Sequence, residues 1–238
     1  TFDGVNDFID TGNAGWDDAN WPYRRRIVID SAQVSGSAEL PNFVFLINST
    51  VPEWRHTSFG GNVGKLDGTD IYFTSDEGGL LSHELEHYDP ATGHVVAWVE
   101  HFGLSPTDDT TVYMYYGNAA AADQQQTAAT WSDAYESVYH LHDNFNDSSG
   151  NQVVGTNNGS VDITGMAGDG QNFNGSSYIN TNWNSNYLAS QNFTWSGWFK
   201  VAAVNSSDDL LGIEDRGAGD GSEIRLSVRD DVLPNGQA

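Results

Sequence analysis

Hydrophobic and polar positions alternate along most of this chain at the two-residue period of half-buried strands. The clearest runs are RRRIVID from Arg24, NFVFLIN (42–48), TDIYFTS (69–75), SHELEHY (82–88), HVVAWVEHF (94–102) and TTVYMYY (110–116). Turn chemistry separates them: Gly60-Gly61, Asp67-Gly68, Gly78-Gly79, Asp89-Pro90 with Gly93, and Ser105-Pro106 with Asp108-Asp109. No long helical period interrupts the pattern. The stretch 119–136 has room for a short helix. Near Tyr139 the pattern restarts. VYHLHDNF reads as a strand running into the polar loop NDSSGNQ, followed by a strand at Val161–Ile163, a hairpin over Phe173–Ile179, and strands in NFTWSGWFKVA (192–202), DDLLGIED (208–215) and SEIRLSVRD (222–230).

Short strands at this spacing predict an all-β chain: two β-sandwich, jelly-roll-like modules in tandem, with an extra N-terminal strand or hairpin. The expected boundaries are 1–13 for that N-terminal piece, 14–137 for the first sandwich and 138–238 for the second. FDGVNDFIDT (2–11) and FNGSSYINT (173–181) share a Phe-x-Gly, turn, aromatic-Ile pattern. The N-terminal piece is therefore read as the tail of a preceding module or a strand completing a module elsewhere, and the chain as a mature or excised part of something longer.

Composition narrows the partners. The 238 residues carry 33 acidic and 9 basic side chains, for a formal net charge of −24. No basic stripe is present to neutralise phosphates, so nucleic acid is not an expected partner, and an anionic membrane surface is disfavoured for the same reason. Arg24, Arg25 and Arg26 sit among Asp17, Asp18 and Asp30 and are expected to be ion-paired or solvated. Many Asp with almost no Lys is a halophile-like balance, in which salt relieves self-repulsion. There are no cysteines, which excludes disulfides and Cys-based zinc sites. No apolar run reaches the length of a membrane-spanning helix, so no insertion of this segment into a bilayer is expected.

Several motifs carry candidate chemistry. His83-Glu84-Leu85-Glu86-His87 matches H-E-x-x-H, but zinc ligation by that motif needs a helix. The flanking turns and the alternation place it on a strand, where four residues span roughly 13 Å. Glu84 and Glu86 then share a strand face roughly 7 Å apart, a spacing that suits paired acids and a solvated face equally well. With no further catalytic constellation, no enzymatic role is expected. Asp143, Asn146, Asp147 and Asn151 form an oxygen-rich loop of the type calcium favours; the competing reading is that Asp147 and Ser148 cap a turn. Trp183, among polar neighbours, and Trp198, in TWSGWFK, are candidate platforms for stacking on a sugar ring, while Trp98 and Trp131 are expected in the core. Six N-x-S/T sequons occur, at Asn48, Asn146, Asn158, Asn174, Asn192 and Asn205, against roughly three or four expected from composition.

WPYRRRIVID, LPNFVFLI, GTDIYFTSDEGGLLSHELEHYDPATGHVVAWVEH and DTTVYMYYGN occur in this order and resemble the family called domain of unknown function twenty-three forty-one, over about residues 16–137. YHLHDNFNDSSGN, FNGSSYI and FTWSGWFK are similar to a concanavalin-A-like, laminin-G-type jelly roll from residue 138 onward, shorter here than that family's usual length. Together the resemblances imply a secreted or cell-surface protein, with the periplasm as an alternative compartment, and calcium in the second module. The expected function is a non-catalytic binding or adhesion module for a glycan or surface polymer. The alternative is a structural subunit of a surface filament or layer, assembled with copies of itself by strand addition.

Overall fold

The computed structural model describes residues 20–132, 135–142, 144–181 and 194–200, with the backbone of strands at 9–10, 208–214 and 223–228. The fold is antiparallel β almost throughout. Its strands are β1 (Ile9–Asp10), β2 (Tyr23–Ile29), β3 (Leu40–Thr50), β4 (Tyr72–Ser75), β5 (Leu80–Leu81), β6 (His83–Asp89), β7 (His94–Leu104) and β8 (Thr110–Tyr116). A single helical turn, α1 (Thr127–Thr130), follows, and then β9 (Thr156–Asn158), β10 (Val161–Thr164), β11 (Asp169–Asn172), β12 (Tyr178–Asn180), β13 (Asp208–Glu214) and β14 (Glu223–Val228). The chain forms two compact units, Thr1–Thr181 and Asn182–Ala238.

In the first unit a five-stranded sheet, β1-β2-β8-β4-β5, faces a three-stranded sheet, β3-β7-β6. Alternation along the strands fills the space between them. β8 sends Val112, Met114 and Tyr116 inward, β7 sends Val95, Ala97 and Val99, and β3 sends Phe45 and Ile47; all belong to one buried cluster with Phe73 and Trp54. Burying each such side chain contributes about 1.5–3 kcal/mol. The opposite face of β8 stacks Tyr115 on Tyr72 at 4.8 Å, with Trp21 edge-on to Tyr72. The arginines of β2 divide: Arg24 lies over the Tyr113 ring of this aromatic layer at 4.5 Å, Arg25 over Trp54 of the inter-sheet core at 5.7 Å, and Arg26 donates to Thr111 Oγ1.

The turn joining β6 to β7 follows its sequence chemistry. The Asp89 carboxylate accepts from Ala91 N and Thr92 Oγ1. Gly93, at φ +75, closes the turn where a Cβ would lie 2.2 Å from the Val51 carbonyl oxygen.

Three local expectations are corrected. Residues 138–142 form no strand; Leu141 takes a left-handed conformation, φ 60, which interrupts extended backbone. Phe173–Ile179 is not a hairpin, because β11 pairs with β10 and β12 pairs with β9. Residues 194–200 carry no strand either, where one was expected in NFTWSGWFKVA. In the second unit β13 and β14 pair antiparallel, with a register shift between Asp209 and Leu211. Of the N-terminal piece, Ile9 and Asp10 pair with Arg25 and Arg24 of β2 in the same chain.

Candidate functional site

Among the described residues a cleft lies along β6, beside a bulge in that strand. The register with β7 runs His83–Val99, Glu84–Trp98, Leu85–Ala97, then His87–Val96, so Glu86 is the extra residue. Before the bulge, His83 and Leu85 point into the core; His83 is fully buried, edge-on to Phe73 at 5.2 Å. Glu84 and Glu86 point to the outer face. The bulge then keeps His87 outward as well, against the rings of His94 and His142. The two histidines of H-E-x-x-H therefore lie on opposite faces of a strand, an arrangement in which they cannot share one zinc ion.

The outer face is covered by Trp131, His140 and Ser148, and the two glutamates are the anchor. Glu84 accepts from Trp131 Nε1 at 2.6 Å, from Ser148 Oγ at 2.6 Å and pairs with His140 Nε2 at 2.9 Å. Glu86 accepts from Trp98 Nε1 at 2.6 Å and pairs with His140 Nδ1 at 3.2 Å. His140 thus bridges both carboxylates while its ring lies nearly parallel to Trp98, 5.8 Å between centroids. Burial opposes charge on this imidazole, but the hydrogen bonds and charges of Glu84 and Glu86 outweigh it and push its pKa up to about 9. Burial also works against the Glu84 carboxylate, yet the His140, Ser148 and Trp131 contacts hold it below its ordinary value. His83, on the other face, has only backbone carbonyls and the charge of Asp123 to favour its proton, and burial outweighs them and pushes it down to about 4.

Between this anchored layer and the loop that follows lies a cleft of about 270 Å³, with Glu84 and Glu86 at its floor and His140, His142, Asn144, Asn146 and Asp147 among its walls. His142 is held to Asp169 Oδ2 at 2.9 Å. Asn144 and Asn146 are exposed, with Asn146 N donating to Asn144 Oδ1.

The proposed calcium loop falls partly on this wall. Asp147 is buried, and its oxygens accept backbone N–H groups from Val138, Ser149 and Val153 at 2.9, 2.9 and 3.2 Å. It organises the loop around itself. Asn151 turns to Glu136, donating to its carbonyl at 2.9 Å. Asp143 lies outside the described residues, as does Trp183. Among the described residues no three His, Asp or Glu side chains are grouped to hold a metal ion. Trp198 is 79% exposed and Trp131 is buried at 5%. Trp98 sits on the outer face of β7 and is covered by His140.

Local pattern could not have found His140 or the indole donors as partners of the glutamates, because these contacts span 12 to 56 residues of sequence. The visible signal was the pairing of Glu-x-Glu with a later His-x-His.

All of these contacts fall within one stretch of sequence that has recognisable relatives. Residues 67–158 match the family described as Domain of unknown function (DUF2341). The match runs past residue 137, where the sequence pattern had placed a boundary, and takes in Glu84, Glu86, Trp98, Trp131, His140 and Ser148. The matched residues thus include both the sheet face and the side chains laid over it. No curated protein and no solved structure matches the chain.

Proposed function

We propose that this chain is a non-catalytic extracellular or cell-surface binding module that takes up a glycan or another hydroxyl-rich surface polymer in the cleft along β6. The observation that carries this reading is the cleft itself: open, lined mainly by polar side chains, and held in shape by the Glu84–His140–Glu86 bridge. Both floor carboxylates are already engaged by indole, hydroxyl and imidazole donors. They are placed to fix a surface rather than to exchange protons with a substrate. The exposed amides of Asn144 and Asn146 present donors and acceptors at the rim, the chemistry that reads sugar hydroxyls.

A concanavalin-A-like, laminin-G-type character for the chain from residue 138 onward fits the same function, with exposed Trp198 as a second, stacking platform. A calcium ion bound in the loop around Asp147 would stiffen the cleft wall. Strand addition between copies draws no support from Ile9–Asp10, which pair within their own chain.

A glycan array run with and without chelator tests the proposal. Binding to a defined set of glycans is expected, reduced at least tenfold in an Asn144→Ala/Asn146→Ala variant and weakened by chelator. A folded protein that binds no carbohydrate on the array overturns it.

A further inference from the structure

Most of the sequons lie outside the cleft, and the structure separates them. In the sequon at Asn48, on β3, both ends of the carboxamide are engaged: Nδ2 donates to the Met166 carbonyl and Oδ1 bonds His94 Nε2. At Asn158, on β9, Nδ2 donates to the Thr156 carbonyl, and the sequon hydroxyl of Ser160 is buried and donates to Asn157 and Gln171. At Asn146 the hydroxyl of Ser148 is committed to Glu84. Asn192 and Asn205 lie outside the described residues.

Asn174 differs. It is exposed, in the turn between β11 and β12, and Gly175 takes φ +85. Its Oδ1 accepts from Ser176 N at 3.0 Å, Ser176 Oγ at 3.0 Å and Ser177 N at 2.9 Å, while Asn174 N donates to Ser177 Oγ. Those bonds turn the carboxamide oxygen into the loop. The amide is planar, so Nδ2 is directed away from the donors that hold Oδ1. The sequon hydroxyl is bonded to the sequon carboxamide here and in no other sequon among the described residues. Every contact is made within three residues, so the arrangement does not depend on the rest of the fold.

We infer that Asn174 is an N-glycosylation site. The donor is a polyprenyl (pyro)phosphate-linked oligosaccharide, presented by a transferase outside the cytoplasm. Nδ2 forms a bond to the sugar C1 as the C1–O bond to the lipid phosphate breaks. The lipid (pyro)phosphate leaves with the bonding pair, and one amide proton passes to a base of the transferase. No oxidant or reductant is needed. The inference rests on the extracellular placement proposed above, because the donor is available only there.

The test is peptide mass spectrometry on the chain as its own source makes it, with cell fractionation alongside. A chymotryptic fragment bounded by Phe173 and Tyr178 isolates the site. A glycan on Asn174 is expected, lost in Ser176→Ala and retained in Ser176→Thr, with Asn48 and Asn158 unmodified. An exported chain with bare Asn174 overturns the inference and leaves the binding function standing. A bare chain retained in the cytoplasm overturns both.

Discussion

His83 and His140 occupy opposite protonation states at neutral pH, and both are consequences of what surrounds each ring. His83 faces the core beside Phe73 and titrates near 4; His140 lies between Glu84 and Glu86 and titrates near 9. An unfolded chain titrates both at about 6.5. Between pH 6.5 and 4 the unfolded state takes up the proton that buried His83 refuses, so stability falls as pH drops, and the lowered Glu84 adds to the loss further down. Between pH 6.5 and 9 the folded state keeps the His140 proton that the unfolded state has released, so stability falls as pH rises. Each limb is worth a few kcal/mol at about 1.4 kcal/mol per pH unit of difference. Urea unfolding from pH 4 to 9.5 should therefore show a maximum near pH 6.5. His140→Gln should flatten the alkaline limb and leave the His83 part of the acid limb in place. An alkaline limb of unchanged slope in that variant would show that the imidazole is not charged in the native state.

At the scale of elements, the strands were the legible part of the chain. β3, β7 and β8 each contain the alternating run that predicts them, and the turn at Asp89–Gly93 follows from its residues. The site was less legible. Glu84 and Glu86 could be placed on one face, but the bulge that keeps His87 beside them leaves no mark on the periodicity. The run from Val138 alternates like a strand, yet His140, His142 and Asp147 each find a partner only when the backbone turns at Leu141.

Asp70 shows the same limit. It precedes β4 in a stretch that reads simply as strand, yet it is fully buried and organises three elements. Its oxygens accept from Gly64 N, Lys65 N and Gly117 N at 2.9, 3.0 and 2.8 Å, and its carbonyl takes the Trp21 indole at 2.7 Å. It ties the entry of β4 to the exit of β8. Asp70→Ala leaves three backbone donors without an acceptor, and a loss of about 3 kcal/mol or more is expected in urea unfolding. Asp67→Ala, which removes an exposed carboxylate bonded to Thr69 two residues on, should cost about 1 kcal/mol or less. Equal losses in the two variants would show that Asp70 does not hold these elements together.

For the whole molecule, the dominant quantity is the charge of −24 on 238 residues. Ordinary screening shortens the Debye length to about 10 Å at 0.1 M salt and about 3 Å at 1 M, so repulsion between exposed carboxylates is largely relieved before molar concentrations are reached. A chain adapted to high salt behaves differently, because cations that gather on the folded acidic surface continue to stabilise it beyond the screening range. Melting temperature should then climb steeply between 1 and 3 M sodium chloride, beyond the gain produced by an uncharged excluded solute such as sucrose, which acts on burial alone. The Glu84–His140–Glu86 bridge provides an internal control. It is buried and little screened, so the stability difference between the native chain and His140→Gln should persist at 1 M salt while the surface contribution changes. A melting temperature that is flat with salt rejects the halophilic reading. A His140→Gln difference that vanishes with salt would show that the bridge is open to solvent and does not anchor the cleft.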